Sequence, residues 1–156
     1  GKSIDEETVR RILKKYYNIG LAVDTEDGLI VPVIKRADSK NMLVIAKEIE
    51  ELANKSRKRE IDLQDLKGGT FTITNAGSIS GIFATPIINY PEAAILALGK
   101  IQDRIIAEDG KVKIKKILTF SLTFDHRILD GAEAARFAQD LIGYLEDPDV
   151  LLIEMD

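Results

Sequence analysis

The 156-residue chain has no cysteine, no tryptophan and a single histidine. Without cysteine there is no disulfide, no thiolate nucleophile and no sulfur-ligated metal, and a lone imidazole excludes a histidine-rich metal cluster. No metal is therefore expected, and any thiol chemistry must use thiols carried by substrates. Nor does any run approach the roughly 20 apolar residues that span a bilayer. The N-terminus is charged from Lys2 onward and lacks the apolar core of a secretory signal, so neither membrane insertion nor export is expected. With a net charge of −4 and mixed signs there is no broad basic field for nucleic acid. The local cluster Lys55, Arg57, Lys58 and Arg59 reads as the last turn of a helix, where cations face the negative end of the dipole. The missing Cys and Trp, only three Gln, and abundant Ile, Lys and Glu resemble the composition of hyperthermophile proteins, which favour charged networks and avoid labile side chains.

What remains is 45% hydrophobic and 31% charged, the balance of one globular domain over residues 1–156. The runs Tyr16 to Val23 and Leu29 to Ile34, separated by Asp27-Gly28, predict a β-hairpin. Both runs are apolar on both faces and call for cover on two sides. Helical spacing of Met42, Ile45, Ala46, Ile49, Leu52 and Ala53 predicts an amphipathic helix, with Ser39 as its N-cap. Thr70, Thr72 and Thr74 alternate with Phe71 and Ile73, so three hydroxyls share one face of a strand. Ala93 to Leu98 predicts a buried strand, Asp109-Gly110 a hairpin turn, and Lys116 to Phe124 a long strand. Ala134, Phe137, Ala138, Leu141 and Leu145 trace one face of a final helix ending near Pro148. This order predicts an α/β (α+β) fold, a mixed β-sheet with helices packed on one face.

The densest chemical constellation, Asp125-His126-Arg127-Ile128-Leu129-Asp130-Gly131, falls where a strand ends and a helix begins. An imidazole is the side chain suited to proton exchange at neutral pH. On position alone, His126 reads first as a structural histidine, Asp130 as a helix cap and Thr74 as an ordinary strand threonine. Asp-His-Arg-x-x-Asp-Gly, however, resembles the signature of the dihydrolipoamide acyltransferases, the E2 cores of 2-oxo acid dehydrogenase complexes. The resemblance also covers Gly28-Leu29-Ile30-Val31-Pro32-Val33, Gly69 to Asn75, Thr85-Pro86-Ile87-Ile88-Asn89 and Pro91-Glu92-Ala93-Ala94-Ile95-Leu96, running in order from about Tyr16 to the C-terminus.

The resemblance implies a chloramphenicol acetyltransferase-like fold and transfer of an acyl group between S-acyl-dihydrolipoamide and coenzyme A. It assigns His126 as general base, Thr74 as the hydroxyl that stabilises the oxyanion, and Asp130 as the residue holding the active-site turn. Asp125 stands where the chloramphenicol branch usually has a second histidine, which favours the lipoamide branch. No coenzyme A-contacting residue is assigned. The family's domain begins well before Tyr16, so the chain is expected to be its C-terminal portion, truncated and without lipoyl or subunit-binding domains. Lipoamide would then arrive on a separate lipoyl domain. The resemblance further implies a homotrimer with the site shared between subunits, able to build into a cage, in the cytoplasm of a prokaryote or the mitochondrial matrix of a eukaryote. An alternative is a catalytically silent core that retains assembly alone. The apolar tail Val150, Leu151, Leu152, Ile153 and Met155 reads equally as a cage contact or a last core strand.

Overall fold

A computed structural model describes residues 12–78 and 81–153. Their contacts fall into two units, Ile12–Thr123 and the segment from Phe124 onward.

In the first unit, β1 (Ile19–Thr25) pairs antiparallel with β2 (Gly28–Ile30) and β3 (Val33–Ile34) along one edge. These two short strands are one strand interrupted at Pro32, whose carbonyl still accepts from Leu21 N at 2.8 Å. The hairpin is therefore as expected, although its turn falls on Glu26-Asp27, one residue early. On its other edge β1 pairs parallel with β4 (Phe71–Asn75), and β4 pairs parallel with β5 (Ala94–Leu98). With β8 (Phe120–Phe124) beyond β5, these strands form a six-stranded sheet in the order β2-β1-β4-β5-β8, with β3 beside β1. The sheet is mixed, as the alternation of patterns predicts. Central β5 buries Ala94, Ile95, Leu96 and Ala97, the continuous apolar run typical of a strand covered on both faces.

Helix α1 (Met42–Lys58) packs against β1 and β3. Its N-cap is Asn41, whose side chain accepts from Val44 N at 3.0 Å, and not Ser39, whose hydroxyl donates to the Arg36 carbonyl. The predicted stripe is buried only in part. Leu52 and Ser56 face inward, whereas Met42, Leu43 and Ile49 are exposed. Lys55, Arg57 and Lys58 occupy the last turn, as the dipole argument expects.

The expected long strand from Lys116 is broken. Lys111–Ile117 (β7) pairs instead with β6 (Gln102–Glu108) in a separate two-stranded sheet, and β8 starts only at Phe120. The turn between β6 and β7 has positive φ at both Asp109 and Gly110, the conformation that matches hairpin twist. Ile105, Val112 and Ile114 are bare on this hairpin. The hairpin at Tyr16 to Ile34 buries Val23, Val33 and Ile34 within the unit, whereas Tyr16, Tyr17 and Leu29 stay exposed, so the cover its runs call for is found only in part.

The loop after β4 is stitched to its neighbours. Gly81 N donates to Ala76 O, Lys100 N to Gly81 O, Gly99 N to Thr119 O, and the Thr119 hydroxyl to Ile82 O. Gly77 lies so close to Gly99 that a Cβ there would sit 2.5 Å from the Gly99 carbonyl oxygen. Backbone cannot swing aside as a side-chain tip can. Gly77→Ala should therefore cost about 1–3 kcal/mol, read as an earlier midpoint in urea unfolding.

In the second unit, α2 (Gly131–Glu146) follows the Asp125–Asp130 turn, with Ala134, Ala138, Leu141 and Tyr144 half-buried. Phe137 and Leu145, expected on the same inward stripe, remain exposed. The chain then forms α3 (Pro148–Ile153). The tail to Ile153 is thus helical and not a last strand; Met155 lies outside the described residues.

Candidate active site

The turn carrying His126 is braced at both ends. At its start, Asp125 O accepts from the backbone N–H groups of Ile128 and Leu129 at 3.1 and 3.0 Å. The Asp125 carboxylate accepts four bonds from Arg127: Oδ1 from the backbone N–H at 3.0 Å and from Nε at 2.9 Å, and Oδ2 from Nε at 3.2 Å and from Nη2 at 2.6 Å. This fork of parallel charged bonds fixes both groups. Chiefly through the Arg127 side-chain bonds, the Asp125 carboxyl is pushed down to about 2. A carboxyl lowered by folding adds stability that is complete above its unfolded pKa and lost as pH falls through its folded one. The Asp125 contribution should therefore be complete above about pH 4, shrink steadily as pH falls from about 4 to about 2, and be gone below that. Arg127→Ala should return the Asp125 midpoint toward the ordinary range of about 3.9, measurable by carboxyl carbon NMR titration.

At the far end, Asp130 Oδ1 accepts from Glu133 N at 2.7 Å, and Glu133 Oε2 accepts from Asp130 N at 3.3 Å. This reciprocal capping box starts α2. Mainly because of the bond from Glu133 N, the Asp130 carboxyl lies below its ordinary value, with smaller contributions from the charges of Arg136 and His126. Asp130 thus holds the turn as a helix cap. Between these braces His126 is exposed; its ring lies 5.5 Å from that of Phe124, centroid to centroid, and it makes no hydrogen bond to a described residue. Its backbone is held by the turn, and its side chain is exposed.

In the first unit, the three threonines of β4 diverge in what they do. Thr70 Oγ1 donates to Asn18 O at 2.9 Å. Thr72 is buried, and its Oγ1 donates to Glu92 Oε2 at 2.6 Å. Thr74 is half-buried, and its hydroxyl has no partner among the described residues. Of the three hydroxyls, it is the one left for a ligand. Glu92 received no role from sequence, yet it is buried, and burial pushes its carboxyl up against the opposing bonds from Thr72 and Asn89. A glutamate inside the apolar stretch from Ile87 to Leu98 was the available signal.

The chain matches the family model of the 2-oxoacid dehydrogenases acyltransferase (catalytic domain) over residues 2–153. It belongs to that family. Among curated acyltransferases it is 45% identical, over 97% of its length, to the Bacillus subtilis dihydrolipoyllysine-residue acetyltransferase component of the pyruvate dehydrogenase complex. It spans about a third of the length of the curated relatives it matches, 34% in that case. Among solved structures, it is 44% identical to Azotobacter vinelandii dihydrolipoamide acetyltransferase, studied for the roles of a serine, a histidine and an asparagine in its catalytic mechanism. The match has a TM-score of 0.86 and covers 90% of this chain and 58% of that one. The cubic core of the pyruvate dehydrogenase multienzyme complex is also 44% identical, with a TM-score of 0.85 over 89% of this chain and 57% of that one. The mixed sheet is therefore that of an acyltransferase catalytic core.

Proposed function

We propose that this acyltransferase chain passes an acyl group between S-acyl-dihydrolipoamide and coenzyme A, with His126 as base and Thr74 as oxyanion donor. The observation that carries this reading is an exposed imidazole held in a turn braced by the Asp125–Arg127 fork and the Asp130 cap. His126 takes the proton of the coenzyme A thiol, making the thiolate that is the true nucleophile. The sulfur attacks the thioester carbonyl carbon, and the negative charge moving onto oxygen is met by the Thr74 hydroxyl. Collapse of the adduct breaks the old carbon–sulfur bond, and the departing dihydrolipoamide sulfur takes the proton back from His126.

Spacing supports the assignment. In the Azotobacter relative the named serine precedes the named histidine by 52 residues and the asparagine follows it by four. Thr74, His126 and Asp130 have the same separations. Threonine keeps the serine's oxygen, and aspartate keeps an acceptor where the relative has asparagine.

The working form in this proposal is a homotrimer, extending to a cage, with each site shared by two chains and lipoamide delivered by a separate lipoyl domain. The likeness to the cubic core of a pyruvate dehydrogenase complex supports assembly, as do the bare apolar residues Met42, Leu43, Ile105, Val112 and Ile114. Light scattering and an acyl-transfer assay on one sample test both parts. An assembled particle with turnover is expected. Assembly without turnover would overturn the catalytic reading in favour of a purely structural core, and a stable monomer at micromolar concentration would overturn the assembly.

A further inference from the structure

The Thr74 hydroxyl has no partner among the described residues, so its aim follows its own stiff χ1 and the strand that carries it. That strand is anchored two residues upstream, on the same face, by a buried unit. Thr72 and Glu92 are 1% and 8% exposed and joined by the 2.6 Å bond from Thr72 Oγ1 to Glu92 Oε2. Asn89 holds the other carboxylate oxygen, donating from Nδ2 to Glu92 Oε1 at 3.3 Å, while Glu92 N donates to Asn89 O at 2.9 Å. The neighbouring backbone makes room for this pair: a Cβ on Gly69 would lie 2.3 Å from Glu92 Oε1, and one on Gly20 would lie 2.7 Å from Thr72 Oγ1. A carboxylate is costly to bury, and nothing about capping or solubility calls for one here.

We infer that Glu92, acting through Thr72, is a positioning residue that fixes the β4 backbone and thereby the aim of the Thr74 hydroxyl. This rests on the proposed role of Thr74, and it adds a second group on which that role depends. An oxyanion donor must meet the transition-state oxygen within a few tenths of an ångström, and a displacement near 1 Å costs on the order of a hundredfold. The carboxylate is the acceptor that makes Thr72 both buried and immobile.

Steady-state transfer by the full chain, with Glu92→Ala, Glu92→Gln, Thr74→Ala and the double variant Thr74→Ala/Glu92→Ala, tests the inference. Glu92→Ala should lower kcat about tenfold to a hundredfold with KM for both substrates little changed. Glu92→Gln should recover most of the loss, because its amide oxygen still accepts from Thr72 and an Asn89 amide flip satisfies its NH2. In the Thr74→Ala background, Glu92→Ala should cost nothing further, since there is no hydroxyl left to aim. An equal kcat loss in both backgrounds would overturn the inference. If Thr74→Ala is itself fully active, the proposed function is what fails. Independently of turnover, three-bond couplings of the Thr74 side chain should pass from a single χ1 rotamer to averaging in Glu92→Ala. An unchanged rotamer would also overturn the inference.

Discussion

His126→Ala should lower acyl transfer from S-acyl-dihydrolipoamide to coenzyme A by about 10²–10⁴-fold, the usual worth of a positioned general base. The substitution is a clean test because the imidazole is exposed and makes no hydrogen bond to a described residue; its ring lies beside that of Phe124. The turn itself is held by Asp125, Arg127 and Asp130, all untouched. Thermal unfolding should therefore match the parent within a few degrees, placing the loss in chemistry. Full activity of this variant in a well-folded particle would remove His126 from the mechanism. A second check uses the thiol: an acceptor of lower pKa, already largely thiolate at neutral pH, should suffer less from the loss of the base.

Thr74→Val should cost about 10²–10³-fold in kcat, the effect typical of removing one oxyanion donor. Valine has nearly the same shape, so the half-buried site on β4 is filled and the Ala22–Thr74 and Thr74–Ala97 pairings of the sheet are kept. What disappears is the hydroxyl. Thr74→Ser keeps the oxygen and should stay within about tenfold of the parent, because it loses only the χ1 restriction that the methyl imposes. Because donation to the oxyanion strengthens as charge develops, KM should change little in either variant. A Thr74→Val enzyme as active as the parent would show that the oxyanion is stabilised elsewhere.

Periodicity made much of the architecture legible. Alternation at Thr70 to Thr74, the apolar run at Ala93 to Leu98 and the helical stripe after Gly131 each became the element expected, and together they gave the mixed sheet. The misses have local physical causes. Ser39 and Asn41 both cap well, and the choice between them depends on where α1 begins, which no stripe fixes to within a turn. The apparent strand from Lys116 to Phe124 is interrupted because Thr119 spends its carbonyl and hydroxyl on Gly99 and Ile82, contacts distant in sequence. For Val150 to Ile153 a strand was one of two equal readings, and α3 replaces it; a short apolar run has no period to read. The apolar residues of α1 and of the hairpin at Tyr16 to Ile34 were distinguishable as apolar but not by how much cover each finds, which only packing decides.

The candidate site was legible for a different reason. His126 and Asp130 sit in one contiguous motif, and their braces all lie between Asp125 and Glu133, so local sequence contains nearly the whole turn. Thr74 was singled out by resemblance; what the structure adds is that its neighbours Thr70 and Thr72 are committed to Asn18 and Glu92. Glu92 stood out only as a glutamate in an apolar stretch, and its role was not legible because its partner on β4 lies 20 residues away.

The most direct measurement mixes two inactive chains. His126→Ala and Thr74→Val proteins are unfolded together, refolded and assayed for acyl transfer, beside each refolded alone. If a site takes its base from one chain and its oxyanion donor from the next, random assembly leaves about a quarter of the sites intact. The account predicts near-zero activity for each variant alone and recovery of about a quarter of parental activity in the mixture. A mixture no more active than the separate variants would contradict it.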